Sequence, residues 1–128
     1  MLRRAAAAAS IAIATMLGAG ARADEILVGA HMPLTGSLAR SGQAFDEGMR
    51  VAIQMFNARS EKHKIRLQVI DDESTPAKAV SAVEKLVSDG AVALVGGYGW
   101  NGIGPALGAS NRLDATYIAE DGQKHRPV

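Results

Sequence analysis

The stretch AVALVGGYGWNGIGPAL, which runs from Ala91 to Leu107, decides the fold. Its first five residues are apolar and predict a short buried strand. Five glycines follow between positions 96 and 104, and the apolar stripe over 103–107 then predicts a helix. A strand, a glycine turn and a helix in this order bring backbone N–H groups close to a small ligand. We therefore place the candidate binding site at this turn.

The composition indicates one small globular domain. Of the 128 residues, 48% are hydrophobic and 21% are charged, which excludes a disordered chain. The chain contains no cysteine, which excludes disulfides, thiolate metal sites and a lipid-anchored cysteine. Three of the 14 basic residues lie in the leader described next, which leaves 11 against 13 acidic residues and no basic stripe. The sequence therefore predicts no nucleic-acid partner.

The N-terminus has the pattern of a secretory signal peptide. Two arginines near the start precede an uncharged, alanine-rich run over 5–21. An Ala-Arg-Ala tripeptide then fits the small-x-small cleavage rule and leaves Asp24 as the first mature residue. A first helix or a membrane anchor is the alternative, but the run is short and only weakly apolar for a span. We therefore predict a signal peptide over 1–23, one domain over 24–128 and a periplasmic location.

The mature chain alternates between strand and helix patterns. The predicted strands span 25–32, 64–70, 91–95 and 115–119, and the predicted helices span 43–59, 76–89 and about 101–113. In the first helix, Phe45, Met49, Ala52 and Phe56 recur at helical spacing, and we expect them to cover one face of the sheet. The last nine residues are polar and predict no further element.

This alternation predicts an α/β fold with a doubly wound parallel sheet. The second strand alternates polar and apolar residues, which is typical of a sheet edge. With right-handed crossovers, the strand order is therefore 2-1-3-4. The first and third strands then lie side by side, and a crevice opens between the loops at their carboxyl ends, residues 33–42 and 96–104. Both loops are rich in glycine, which favours a binding site at this point.

The residue types support no catalysis. No serine lies in a G-x-S-x-G frame, and no Gly-Lys-Ser/Thr sequence follows the glycine turn. The three histidines share no helix-face spacing, and we expect His31 to be packed or solvated and not a ligand. The acidic run Asp71–Glu73 is expected to form a solvated loop, because no further metal ligands converge on it. We therefore predict no catalytic residue, no metal site and no cofactor.

The glycine turn also matches a dinucleotide fingerprint. Residues 97–102 read G-x-G-x-x-G between a strand and a helix, and Glu120 and Asp121 lie about 20 residues further on. However, the match lies on the third strand, Trp100 would crowd a pyrophosphate, and an exported protein meets little free dinucleotide. The same geometry suits a small carboxylate at the helix N-terminus, with Tyr98 or Trp100 stacked on a ligand ammonium. Carboxylate capture is therefore preferred, with a dinucleotide-binding oxidoreductase fragment as the alternative.

Three segments carry a resemblance to a known family: PLTGSLARSG (33–42), DDESTPAKA (71–79) and DGAVALVGG (89–97). With the leader and ATYIA (115–119), the chain resembles the exported substrate-binding proteins of ABC importers in the branched-chain amino acid (leucine-binding) family. Members have the type I periplasmic-binding fold, in which two lobes close on a ligand. The resemblance implies a non-enzymatic binding component for an amino acid or related small carboxylate, with an ABC permease of the inner membrane as partner. A ligand-sensing receptor domain is a further alternative.

The resemblance also implies ligand-binding residues by position. They lie after the first, third and fourth strands: Ser41, then Gly99, Trp100 and Asn101, then Asp121, Gly122 and Gln123. Trp100 stands where leucine-binding members typically carry a small hydroxyl residue. Because members have two lobes, we expect this chain to be an N-terminal part of the first lobe, and to bind a ligand weakly or not at all by itself.

Overall fold

The computed structural model describes residues 23–119, 122 and 124–125. The predicted signal peptide lies outside these residues except for its last position. The strands are β1 (Asp24–Met32), β2 (His63–Asp71), β3 (Ala93–Gly96), β4 (Tyr117–Ala119) and β5 (Lys124–His125). The helices are α1 (Ala39–Arg59), α2 (Pro76–Ser88) and α3 (Trp100–Arg112). Among the described residues, none of these helices is both long and apolar enough to cross a membrane.

The five strands form one sheet in the order β2-β1-β3-β4-β5, with β1 to β4 parallel. The predicted parallel order 2-1-3-4 is confirmed. The prediction that no element follows β4 is wrong, because the two-residue strand β5 pairs antiparallel with β4. A tight turn makes this return possible: Gly122 has φ +76° and its N–H donates to the Ala119 carbonyl at 2.9 Å. Two residues are too few for a periodic pattern, so no local signal predicts β5.

The strand order determines which sheet face each helix covers. The chain moves from β1 to β2 in one direction and from β2 to β3 in the other, so right-handed crossovers place α1 and α2 on opposite faces. α2 and α3 pack together on one face. The core lies there, and its buried members are Ala79, Val83, Leu86, Leu94, Ala106, Ala109, Tyr117 and Ala119.

Helix α2 ends in a glycine motif that also shortens the next strand. Gly90 has φ +91°, and its N–H donates to the Val87 carbonyl, while the Ala91 N–H donates to the Leu86 carbonyl. This is the Schellman arrangement, which satisfies the last carbonyls of a helix. Because the Ala91 N–H is used to end the helix, β3 begins at Ala93 and not at Ala91 as predicted.

Helix α1 begins at Ala39, four positions before the predicted start at Gln43. Gly42 explains this earlier start. Glycine is typical of a loop, but Gly42 is the one buried residue of α1. A Cβ atom at this position would lie 2.2 Å from the carbonyl oxygen of Pro33. A glycine therefore lets the first turns of α1 pack directly on the chain that leaves β1.

The apolar stripe of α1 faces a different direction from the one predicted. Only Met49 of the four stripe residues is half-buried, whereas Phe45 and Phe56 are 39% and 44% exposed and Ala52 is exposed. Asn57 instead joins α1 to the sheet, because its amide donates to the Ile65 carbonyl at 2.8 Å and accepts from the Ile65 N–H at 2.7 Å. The expectation that the whole stripe covers the sheet is therefore wrong for the described residues.

Candidate ligand-binding site

The glycine turn is packed tightly on the end of β1. Gly96 and Gly97 have φ of +128° and +74°, and the Gly97 N–H donates to the His31 carbonyl at 3.0 Å. A Cβ atom on Gly97 would lie 2.7 Å from the Tyr117 hydroxyl oxygen, and one on Gly96 would lie 2.3 Å from the His31 carbonyl oxygen. Only glycine fits both the backbone angles and this spacing. The turn therefore has one tightly constrained path between β3 and α3.

Helix α3 begins directly after this turn. Its N-cap is Gly99, with φ +73°, and the N–H groups of Gly102 and Ile103 donate to the Gly99 carbonyl. Among the described side chains, none caps this helix end, and its first turn contains no acidic residue. The partial positive charge of the helix N-terminus is therefore directed toward the crevice at the carboxyl ends of β1 and β3.

Asp71 ties the loop after β1 to the loop after β2. Its carboxylate accepts hydrogen bonds from the Leu34 N–H at 2.8 Å, the Thr35 hydroxyl at 2.6 Å and the Glu73 N–H at 2.8 Å. Burial raises the pKa of Asp71, but hydrogen bonds from the Thr35 hydroxyl and the backbone N–H groups lower it by more. The pKa of Asp71 is therefore below its ordinary value. Asp71 is thus half-buried and held by hydrogen bonds, and Glu73 is exposed as predicted.

The prediction of a solvated loop is wrong at Asp72, which is only 1% exposed. Its carboxylate lies 2.8 Å from Nδ1 of His31, which is fully buried, and it accepts the Ser74 N–H at 3.0 Å. Nε2 of His31 lies 2.6 Å from the Tyr117 hydroxyl, which donates to the Gly96 carbonyl at 2.8 Å. Of the two states expected for His31, the packed one is observed. The result is a buried polar chain that ends on the glycine turn.

A shallow, open cavity of about 300 Å³ lies beside the turn and is lined by Ser41, Ala44, Phe45 and Tyr98. The rings of Phe45 and Tyr98 lie 5.6 Å apart, centroid to centroid, and are tilted by 48°. A Cβ atom on Gly99 would lie 3.7 Å from Cδ1 of Leu38, so the start of α1 and the turn are in close proximity. The cavity volume is at the lower end of the range for small-molecule sites.

The structure brings together some of the predicted site residues. Ser41 lies in this cavity, next to the turn that contains Gly99, and Trp100 and Asn101 are the first two residues of α3. The side chains of Trp100 and Asn101 are outside the described part of the structure, as are Asp121 and Gln123 entirely. Gly122 is exposed in the turn between β4 and β5.

The sequence interpretation missed Phe45 as a residue of the cavity. Its spacing in the apolar stripe of α1 predicts a position against the sheet, yet its ring lies beside that of Tyr98 at the crevice. The position of Phe45 near the start of α1 is a sequence signal for the crevice, because helices in this fold begin at the carboxyl ends of the strands.

A larger open cavity of about 510 Å³ lies at the other end of α1, against Ala52, Met55, Phe56, Arg59 and Ser60. That end lies near the amino ends of the strands, where parallel α/β sheets do not bind their ligands. Within the described residues, no group of three or more histidines and carboxylates could hold a metal ion. The crevice at the glycine turn is therefore the candidate site.

Comparison with known proteins identifies the family. Residues 25–126 match the family model described as "Periplasmic binding protein". The chain belongs to the periplasmic binding protein family. Among curated relatives, it is 33% identical over 90 residues to a Leu/Ile/Val-binding protein homolog 3 of Brucella melitensis, which covers 68% of this chain and 24% of that protein. This chain thus spans about a quarter of the length of the relative.

Solved structures of periplasmic binding proteins share the fold. The branched-chain amino acid transporter substrate binding protein LivJ from Streptococcus pneumoniae, in complex with isoleucine, matches with a TM-score of 0.72 and 25% identity. The match covers 75% of this chain and 28% of LivJ. A solute binding protein of an ABC transporter from Rhodopseudomonas palustris, in complex with 3,4-dihydroxybenzoic acid, matches with a TM-score of 0.62 and 26% identity over 75% and 27% of the two chains. The predicted resemblance to the leucine-binding group is confirmed.

Proposed function

We propose that this chain forms part of a solute-binding component of an ABC importer, and that its ligand is an amino acid or a related small carboxylate. The observation that carries the proposal is the N-terminus of α3, which follows a tightly packed glycine turn and begins two residues after Tyr98, a residue that lines the cavity. Such a helix end binds anions through its N–H groups and its dipole. Membership of the periplasmic binding protein family supports the same function.

The chemistry of the cavity favours a ligand with a carboxylate and an apolar or aromatic portion. The carboxylate would lie at the first residues of α3, while the rings of Phe45 and Tyr98 provide an apolar wall. The ligands of the two structural relatives, isoleucine and 3,4-dihydroxybenzoic acid, share a carboxylate and differ in the rest of the molecule. The proposed contacts are therefore those predicted by position: Ser41, Gly99, Trp100, Asn101, Asp121, Gly122 and Gln123.

The proposal includes no catalysis and no cofactor. We infer that the protein is exported by its signal peptide, works in the periplasm and delivers its ligand to an ABC permease in the inner membrane, as its relatives in the family suggest. The dinucleotide-binding and receptor-domain alternatives have no comparable support from the family match.

Isothermal titration calorimetry of the chain with isoleucine, 3,4-dihydroxybenzoate, isoleucinamide and NAD tests this proposal. The first two ligands carry a carboxylate, whereas isoleucinamide keeps the side chain and ammonium of isoleucine without the negative charge. We expect measurable, weak binding of at least one carboxylate and at least about tenfold weaker binding of the amide. Equal affinity for isoleucine and isoleucinamide, or tight binding of NAD, would count against carboxylate recognition.

A further inference from the structure

The buried polar chain beneath the glycine turn joins four parts of the fold. His31 lies on β1, Asp72 follows β2, Gly96 ends β3 and Tyr117 begins β4. His31 and Asp72 are separated by 41 positions in the sequence, and His31 and Tyr117 by 86. A polar chain of this kind inside a core is costly unless each group is paired. Its position suggests that it fixes the turn on which α3 depends.

The donors and acceptors of this chain determine where its protons lie. The Gly96 carbonyl can only accept, so the Tyr117 hydroxyl donates its proton there. The Tyr117 oxygen must then accept from Nε2 of His31, which therefore carries a proton. A neutral His31 would now present the bare lone pair of Nδ1 to the Asp72 carboxylate at 2.8 Å, which is repulsive.

A proton between Nδ1 and Asp72 removes this repulsion. The distance of 2.8 Å lies in the range of a charge-assisted N–H to carboxylate bond. The other carboxylate oxygen of Asp72 accepts the Ser74 N–H, which also favours the ionised carboxylate. Protonation of both nitrogens of His31 thus satisfies every hydrogen bond described here, and the buried pair has no net charge.

The same pair lies directly under the N-terminus of α3. A Cβ atom on Gly102 would be 3.7 Å from the Asp72 carboxylate and 3.9 Å from Cε1 of His31. An uncompensated carboxylate at this distance would oppose the partial positive charge that the helix end offers to an anion. A positive charge on His31 would cancel that effect.

We propose that His31 is a positioning residue for the ligand site: it carries both ring protons, neutralises Asp72 and, through Tyr117, holds the Gly96 carbonyl and the turn that leads into α3. The part of this inference that concerns ligand affinity rests on the proposed function. The proton assignment and the effect on the turn concern the protein alone, and they are testable without a ligand.

Nitrogen-15 NMR of the full chain at neutral pH tests the proton assignment. We expect both ring nitrogens of His31 to have shifts of the protonated type and both ring N–H protons to be protected from exchange. A pyridine-type shift at either nitrogen overturns the assignment. His63 is exposed on β2 and provides an internal comparison in the same spectrum.

Tyr117→Phe tests the connection to the turn, because it removes only the hydroxyl. We expect shifted amide signals at Gly97, Gly99 and Gly102. Val83→Ala is the matched control: it also perturbs the buried core, but on α2, and it should leave these three signals in place. Unchanged glycine signals in Tyr117→Phe, or equal changes in both variants, overturn the positioning role.

A charge-compensation pair tests the effect on ligand affinity. His31→Gln leaves Asp72 without its cation, and we expect at least about threefold weaker isoleucine binding. His31→Gln combined with Asp72→Asn restores a neutral pair and should recover most of the affinity. Equal affinity of parent and single variant overturns the electrostatic role. If the parent chain binds isoleucinamide as well as it binds isoleucine, the proposed function fails, while the two ligand-free experiments still decide the positioning role.

Discussion

Single residues at the ends of the strands determine the shape of the site. Asp71 receives hydrogen bonds from two neighbouring loops, and Gly97 has both a left-handed backbone and a close contact with Tyr117. Asp71 is the last residue of β2 and Gly97 lies in the turn after β3, and each is held by groups distant in the sequence. Changes at these positions should therefore have larger effects than changes at exposed loop residues.

Asp71→Asn should lower the free energy of unfolding by about 1 to 2 kcal/mol at neutral pH, because charge-assisted hydrogen bonds from Thr35 and the backbone are weakened. The pKa of Asp71 is lowered in the folded protein, so its stabilising effect is complete above the ordinary carboxyl pKa of about 3.9 and is lost as the pH falls through the lowered value. Urea unfolding from about pH 7 to pH 2 should show the gap between parent and variant closing in acid. Glu47→Gln, at an exposed position of α1, should show no such closing gap. A constant gap for Asp71→Asn contradicts the account.

Gly97→Ala and Gly102→Ala form a matched pair in the same turn. Alanine at position 97 meets the Tyr117 hydroxyl at 2.7 Å with φ +74°, and we expect a loss of more than about 2 kcal/mol. Alanine at position 102 makes only ordinary contacts of 3.7 Å or more and favours the helix, so stability should stay within about 1 kcal/mol of the parent. Thermal unfolding followed by circular dichroism gives both values. A Gly102→Ala variant as damaged as Gly97→Ala is the contradictory outcome.

At the scale of elements, sequence patterns predicted the strands well and the direction of α1 poorly. Consecutive apolar residues predict that β1 is a strand buried on both faces. The alternation of polar and apolar residues predicts that β2 lies at the edge of the sheet. The stripe of α1 shows which residues are apolar, but not which of them meet the sheet. The orientation of α1 depends on Asn57, which forms hydrogen bonds with the backbone of Ile65 on β2.

Asn57→Leu tests this connection between α1 and β2. The substitution removes both hydrogen bonds to the backbone of Ile65 at the sheet edge, and we expect a loss of about 1 to 3 kcal/mol in urea unfolding. Gln54→Leu is the control, because it adds a similar apolar side chain at an exposed position of the same helix. Equal stabilities of the two variants would mean that Asn57 does not hold the helix in place.

At the scale of the whole molecule, the sequence predicts where the candidate site lies but not the buried residues beneath it. The strand order follows from β-α alternation and right-handed crossovers, and it places the two glycine-rich loops side by side. The burial of Asp72 could not be predicted, because it depends on His31 and Tyr117, which are distant in the sequence. The inferred role of the buried pair likewise depends on three-dimensional contacts that no local pattern contains.

The most direct test of the central claim is an amide NMR titration of the ¹⁵N-labelled chain with isoleucine, with isoleucinamide as the control. The account predicts that isoleucine causes its largest shifts at Ser41, Gly97, Gly99 and Gly102, and that isoleucinamide causes much smaller shifts there. Val83 on α2 should not respond to either compound. The largest shifts at Ala52, Met55 and Phe56, along the larger cavity of α1, or equal shifts with both compounds, would contradict the claim that the N-terminus of α3 binds a carboxylate.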